Sequence, residues 1–204
     1  MSDLRIKKTK SVLKSTLISM LNEKSFEKIN VTDICKKANI SRITFYSHYN
    51  DKFSIIDEII EEYTAMAKII FQKKQIENNK KNNSVQSYCN ILDTILELFE
   101  KYPNFFQNIS PDKNPYLSLI LYNRVLKTVE LHTIEESHTH KLKYTPRQIT
   151  GFLCYGLAGF INESENENIN KDKIREQAKR ILTDTVRSSV IIEWYFSNLK
   201  KGCI

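Results

Sequence analysis

Residues 42–48 bring a cation, hydroxyl groups and an imidazole together within a few positions. Each residue of a helix turns by about 100°, so Phe45 and Tyr49 share one face and are expected to point into a core. The opposite side then presents Ile43, Thr44 and Ser47, flanked by Arg42, Tyr46 and His48. Hydroxyls and cations hydrogen-bond to phosphate oxygens and to base edges. The segment therefore has the chemistry of a nucleic-acid-binding face, although Thr44 and Ser47 are also compatible with simple solvation.

The residues before this segment predict a second short helix and a tight turn. Asn30 has the chemistry of an N-cap, and a helix is predicted over about 31–38. Asn39 tolerates the left-handed backbone conformation that ends many helices, and Ser41 is predicted to cap the next helix, at about 42–48. Two short helices joined in this way form a helix-turn-helix, whose second helix enters the major groove of DNA.

Further helices are predicted on both sides of the helix-turn-helix. Apolar residues at helical spacing predict a first helix over about 7–23, and Asp51 is predicted to start a fourth. The basic residues from Arg5 to Lys10 are expected to form a flexible arm that adds contacts to phosphates or to the minor groove.

The remaining sequence also predicts helices, so the expected fold is all-α, with about nine helices and no strand. The helix predicted over about 116–136 is apolar nearly all round through Val129 and is expected to be centrally buried. The polar residues 72–84 are expected to form an exposed connection. Thr145 begins a predicted capping box, and the last long helix is expected to extend towards Trp194 and Tyr195.

The positive charge is concentrated at one end of the chain. The net charge is +7, and residues 1–52 hold 11 Lys and Arg against 5 Asp and Glu. Residues 53–204 hold 20 against 19. A basic face confined to one end is typical of a polyanion-binding module attached to a nearly neutral body.

The cysteines and the apolar segments predict a cytoplasmic protein. The thiols lie far apart in no C-x-x-C pair and are interpreted as small buried hydrophobic residues of a reduced compartment: Cys35, Cys89, Cys154 and Cys203. The first residues lack the apolar stretch of a signal peptide. The longest apolar run, residues 151–161, is shorter than the roughly 20 residues that cross a membrane, so no membrane contact is expected.

The sequence offers no catalytic or metal-binding motif. No nucleophile is paired with a base, and no phosphate-binding loop occurs. His132, His138 and His140 are candidate metal ligands by residue type, but no carboxylate or cysteine completes a ligand set, so a solvated loop is predicted instead. The chain is therefore predicted not to be an enzyme, with no cofactor or metal.

The segment from Asn30 to Lys52 resembles the TetR/AcrR family of regulators, whose run is roughly S/T-V-x-D-I-A-x-x-A-G-V-S-x-x-T-F/L-Y-x-H/Y-F-x-x-K. The chain matches this run in register at Val31, Asp33, Ile34, Ala38, Ile40, Ser41, Thr44, Phe45, Tyr46, His48, Tyr49 and Lys52. It departs at three positions, where Asn30 replaces the hydroxyl-bearing cap, Cys35 the small alanine and Asn39 the turn glycine. Each replacement has the property that its position needs. With the flanking helices, the resemblance covers about a quarter of the chain.

The resemblance implies a role for individual side chains. Phosphate contacts are implied for Asn30, Tyr46, His48 and Lys52, and a phosphate or base contact for Thr44. Base contacts are implied for Thr32, Arg42 and Ile43, with Arg42 favouring guanine and Ile43 a thymine methyl. Two alternatives stay open: in the first, Ile43 packs at the edge of the module, and in the second, His48 is an ordinary surface histidine.

The resemblance also implies a division into a helix-turn-helix DNA-binding domain, 1–52, and a helical effector-binding and dimerisation domain, 53–204. The expected function is a homodimeric, sequence-specific repressor that binds a palindromic double-stranded operator and is released by a small-molecule effector. In an alternative, the C-terminal domain binds a protein partner instead.

Particular residues of the C-terminal part bear on these expectations. Gly156 and Gly159 would permit close helix approach across a dimer, or serve packing within the chain. Aromatic residues would line an effector pocket or belong to the core. Residues 102–106 and 155–160 also resemble the dihydroxyacetone-regulator-like subgroup of the family.

Overall fold

A computed structural model describes residues 2–138, 141–187 and 192–193 of the chain. Within these residues the fold consists of nine α-helices, one short 3-10 turn and one pair of two-residue strands. The helices are α1 (Ser2–Leu21), α2 (Val31–Ala38), α3 (Arg42–Tyr46), α4 (Lys52–Asn78), α5 (Ser84–Lys101), α6 (Pro103–Phe106), α7 (Pro115–Ser137), α8 (Pro146–Asn166) and α9 (Lys171–Arg187). The 3-10 turn is Phe26–Lys28, and β1 (Lys141–Leu142) pairs antiparallel with β2 (Ile192–Glu193). The all-α prediction is confirmed, and the small strand pair is an addition to it.

The helices form two compact units, each with its own core. The first unit contains the residues up to Ile70 together with Glu97–Tyr122. Its fully buried side chains include Leu13, Leu17, Phe26, Ile34, Phe45, Ile56 and Phe105. The second unit contains Phe71–Leu96 and the described residues from Asn123 onward, with a core that includes Val85, Leu92, Ile149, Leu153, Ala178 and Leu182. The predicted domain boundary after residue 52 concerns the extent of a functional module and stays a prediction.

The predicted helix caps are confirmed. The side chain of Asn30 accepts a hydrogen bond from the backbone N–H of Asp33 at 2.8 Å. Asn39 ends α2 in the left-handed conformation, at φ 53° and ψ 46°. Ser41 caps α3, and Thr145 forms a capping box with Gln148 at the start of α8. These caps satisfy backbone groups that a helix end leaves unpaired, which is why they could be located from the residue types.

Two expectations about flexible segments are wrong. Residues 5–10 are not a flexible arm, because α1 already begins at Ser2. Residues 72–78 are not a connection, because α4 continues to Asn78.

The end of α4 is held by a cluster of amides. Gln75 Oε1 accepts hydrogen bonds from Asn79 Nδ2 at 2.8 Å and from Asn90 Nδ2 at 2.9 Å, and Asn90 also donates to Asn78 at 2.8 Å. Asn79 and Asn90 are buried. The polar side chains therefore satisfy one another, and this allows a polar sequence to pack as a helix.

The predicted central burial of α7 is also wrong. Leu117 and Val129 are buried, but Leu119 is 57% exposed and Leu131 and Ile134 also reach the surface. The apolar surface of α7 is therefore larger than the area that the described residues bury. Gly156 and Gly159 lie on α8 with nothing in the described chain within 4 Å of an added Cβ, so packing against the described residues does not explain them.

The histidines and cysteines lie partly inside the fold. His132 belongs to α7, where its ring packs edge-on against Phe71 and Tyr88, so the solvated-loop prediction is wrong for this residue. His140 lies outside the described residues, as do Cys203, Trp194 and Tyr195. Cys35 and Cys89 are buried, as predicted, whereas Cys154 is only half-buried. Among the described residues, no group of His, Cys, Asp and Glu could hold a metal, and no helix is long and apolar enough to span a membrane.

Candidate nucleic-acid interface

The turn between α2 and α3 is fixed by backbone hydrogen bonds and by the left-handed Asn39. The N–H of Asn39 donates to the carbonyl of Lys36 at 3.3 Å, and the N–H of Ile40 donates to that of Cys35 at 3.0 Å. Ile34 and Phe45 are completely buried in the same core. The two short helices are thus held together as a helix-turn-helix.

The two sides of α3 differ as predicted. Phe45 is fully buried and Tyr49, just beyond the helix, is 4% exposed. Arg42, Ile43, Tyr46 and Ser47 are exposed, and Thr44 is half-buried. Ile43 is 85% exposed, so it does not pack at the edge of the module. A large apolar side chain held this far into solvent by a short, capped helix is available to a partner surface.

The hydroxyls around α3 are already engaged with the helix itself. Ser41 Oγ accepts from the backbone N–H of Thr44 at 3.0 Å and lies 2.9 Å from Thr44 Oγ1. Ser47 Oγ donates to the carbonyl of Thr44 at 2.8 Å. A hydroxyl has further capacity to accept or donate, so Thr44 can still meet a phosphate while it supports the cap.

Arg42 and Tyr46 lie one turn apart on the exposed side of α3. The guanidinium carbon of Arg42 is 5.9 Å from the centre of the Tyr46 ring, within cation–π range. The Tyr46 ring in turn packs edge-on against buried Phe45, with 5.3 Å between ring centres. Buried Phe45 therefore holds the Tyr46 ring in place, and this ring orients the side chain of Arg42.

Residues at the start of α2 supply a second exposed edge. Asn30 and Thr32 are both exposed, and His48, after α3, is half-buried. Because the side-chain oxygen of Asn30 is used in capping, its amide N–H groups are the part of the side chain suited to a phosphate. Lys24 bonds Asp33 at 2.6 Å, and this hydrogen bond holds the pKa of the Asp33 carboxyl below its ordinary value.

Lys52 is placed differently from the other predicted site residues. Its Nζ donates to the carbonyls of Phe26 at 2.8 Å, Glu27 at 3.2 Å and Ile29 at 2.7 Å. Burial lowers the pKa of the Lys52 ammonium, while the charge of Glu27 acts in the opposite direction. The ammonium is thus turned towards the protein rather than towards the exposed face of α3.

Lys10 of the predicted basic arm and Lys14, both on α1, are paired with carboxylates on α4. Lys10 bonds Glu58 at 2.7 Å, and Lys14 bonds both Glu58 and Glu62. Lys10 also lies 5.0 Å from the centre of the Tyr49 ring. The sequence did contain a signal for this network, because Lys10 and Lys14 on one helix and Glu58 and Glu62 on another each have the four-residue spacing that places two side chains on one face.

The comparisons with known proteins bear on this module and on the whole fold. No protein-family model matches the sequence. The uncharacterized HTH-type transcriptional regulator YxbF of Bacillus subtilis is 38% identical over 50 residues, which are 24% of this chain and 13% of that protein. The similarity thus covers a small part of the curated relative.

Solved structures match almost the whole chain. A protein assigned to the TetR family from Syntrophomonas wolfei has a TM-score of 0.70 at 13% identity, over 88% of this chain and 95% of that one. A TetR transcriptional regulator from Streptococcus agalactiae has a TM-score of 0.58 at 24% identity, over 91% and 97%. A gamma-butyrolactone receptor has a TM-score of 0.52 at 10% identity, over 90% and 97%. The chain has the fold of the TetR family of transcriptional regulators.

Proposed function

We propose that this protein is a sequence-specific DNA-binding transcription regulator, whose helix α3 enters the major groove of double-stranded DNA. The observation that carries the proposal is the two-sided character of α3: Phe45 is buried behind it, and Ile43 is 85% exposed in front beside Arg42. A soluble protein seldom presents a large apolar group so openly without a partner surface. The floor of the major groove offers both thymine methyls and guanine acceptors to such a pair.

The proposed contacts divide into base contacts and phosphate contacts. Arg42, Ile43 and Thr32 read bases, because they are exposed and extend from α3 and from the start of α2. Asn30, Tyr46, His48 and Thr44 bind phosphates, which sets the position of α3 in the groove. Arg42 reaches the bases in a defined direction because Tyr46 lies against it.

The protein acts as a homodimer in this proposal. The apolar face of α8 supports the pairing: Phe152 is 64% exposed, and Gly156 and Gly159 on the same face have open space in front of them. Residues without side chains allow two helices to approach closely. A dimer would hold its two α3 helices about 34–36 Å apart and would bind a palindromic operator.

We also propose that a small-molecule effector releases the protein from DNA. One structural neighbour is named as a gamma-butyrolactone receptor, which supports a ligand-responsive body for this fold. Effector binding would favour a state of the dimer that does not fit the operator. If no small molecule changes DNA affinity and a protein does, the body is instead a protein-binding platform.

Selection of bound DNA from a random pool, followed by a salt titration, tests the proposal. We expect a two-fold symmetric site and an affinity that falls steeply with salt. Arg42→Ala should relax the preference at one base pair by about 1–3 kcal/mol, and Tyr46→Phe should weaken all sequences alike. Arg147→Ala, an exposed arginine on α8, is the matched control and should change neither. No enrichment together with a flat salt response would reject DNA binding.

A further inference from the structure

The side chain of Lys52, the first residue of α4, is half-buried, and its ammonium group is directed at backbone carbonyls of the protein itself. An ammonium carries three protons, and Nζ has three carbonyl acceptors within 3.2 Å: those of Phe26, Glu27 and Ile29. Every proton therefore has a partner inside the chain. A phosphate could be bound only by giving up one of these hydrogen bonds.

Aromatic rings cover the ammonium from a further side. Nζ lies 4.5 Å from the centre of the Phe26 ring and 5.4 Å from that of the Phe53 ring. The two rings pack edge to face at 5.3 Å, and each also packs against Tyr116. This arrangement stabilises a cation in place by cation–π attraction as well as by hydrogen bonds.

The three carbonyls belong to the turn that leads directly into α2. Ile29 is followed by Asn30, whose side chain caps α2. The other end of the turn is held by Asn114, which accepts a hydrogen bond from the N–H of Phe26 at 2.6 Å. Lys52 thus joins the first residue of α4 to the segment that sets where α2 begins.

We propose that Lys52 is a positioning residue that fixes the helix-turn-helix on the start of α4 and does not itself bind phosphate. The inference rests on the proposed function, because it assumes that the helix-turn-helix binds DNA. It replaces the phosphate contact that the family resemblance implied for Lys52. When this link is lost, α2 and α3 shift relative to α4. The base contacts of α3 then weaken more than the sequence-independent attraction to DNA does.

Two substitutions separate positioning from phosphate binding. Lys52→Met keeps the length of the side chain and removes the donors. Lys52→Arg keeps the charge, but a planar guanidinium cannot direct its N–H groups at the same three convergent carbonyls. Lys101→Met, at an exposed lysine in the last turn of α5, is the matched control.

The first measurement is the affinity for the selected operator and for random DNA over a range of salt concentrations. We expect Lys52→Met to lose about tenfold or more in the ratio of specific to non-specific affinity, with an unchanged slope of log affinity against log salt. Lys52→Arg should not restore the ratio. A slope smaller by about 1 for Lys52→Met, together with wild-type affinity for Lys52→Arg, would overturn the proposal.

The second measurement needs no DNA. Amide hydrogen exchange of the free protein should become faster at residues 26–34 in Lys52→Met, and exchange in α9 should stay unchanged. Unaltered exchange at residues 26–34 would overturn the positioning role even if the protein binds no DNA. If Lys52→Met does not fold, Lys52→Arg carries both tests, because phosphate binding predicts normal affinity and normal exchange for that variant.

Discussion

Asn114 is 1% exposed and makes two hydrogen bonds to buried parts of the backbone. Its Oδ1 accepts from the N–H of Phe26 at 2.6 Å, and its Nδ2 donates to the carbonyl of Asn108 at 2.6 Å. Asn114→Ala removes both partners at once. Because Phe26 begins the turn before α2, we expect this substitution to destabilise the unit that contains the helix-turn-helix.

The size of the effect follows from these two groups. A buried polar group that loses its partner costs about 1–3 kcal/mol, so two such groups, taken at about 1.5 kcal/mol each, give an expected loss of about 3 kcal/mol in the free energy of unfolding. A chain of 204 residues falls in the size range in which 1 kcal/mol lowers the melting temperature by about 2–4 °C. The expected fall is therefore about 6–12 °C.

Differential scanning calorimetry of the full chain measures this change. Asn104→Ala is the matched control, because Asn104 is exposed in α6 of the same unit. The control should shift the melting temperature by about 2 °C or less, as expected for surface substitutions. If Asn114→Ala shifts it no further than the control does, the two hydrogen bonds do not contribute as reasoned here.

Substitutions at three further positions test the local structure around the candidate site. Ser41→Ala should lower the unfolding free energy by about 1 kcal/mol in urea titrations, because it removes the cap of α3. Asn39→Gly should be neutral or stabilising and Asn39→Ala should cost about 1 kcal/mol, since residue 39 has a φ of 53°; equal effects would contradict this. Burial acts to raise the pKa of Glu58, but hydrogen bonds from Lys10 and Lys14 outweigh it and hold that pKa below 4.5. The carboxylate therefore stabilises the fold above pH 4.5, and this contribution is lost as the pH falls through the lowered pKa. Between about pH 7 and pH 3, the melting temperature of Glu58→Gln should therefore fall less than that of the wild type.

The features that could be predicted from the sequence are those that depend on neighbouring residues. Asn30, Asn39 and Ser41 act within three or four positions of themselves, so their residue types were enough to place α2, the turn and α3. Helical periodicity placed Ile43 on the side opposite the core once Phe45 was assigned to the core, and its 85% exposure then excluded packing at the edge of the module.

The features that could not be predicted depend on where distant segments meet. The side chain of Lys52 is long enough to turn inward or outward, and only the folded turn at residues 26–29 provides the carbonyls that hold it. Asn79 and Asn90 are typical loop residues by composition, yet they are buried because amides from two helices satisfy one another. The exposure of Leu119 could not be read from its own helix, whose sequence is apolar on nearly every side.

The pairing of Lys10 and Lys14 with Glu58 and Glu62 has a consequence for how the protein would find its site in a cell. Residues 1–52 hold 11 basic side chains, but these two face carboxylates and Lys52 faces carbonyls. Each cation that binds a phosphate releases nearly one counterion, so engaged cations release few. The protein should therefore stay only briefly on random DNA and sample the genome by frequent dissociation. Its affinity for DNA should still fall with salt, but the slope of log affinity against log salt should be smaller than eleven basic side chains would give.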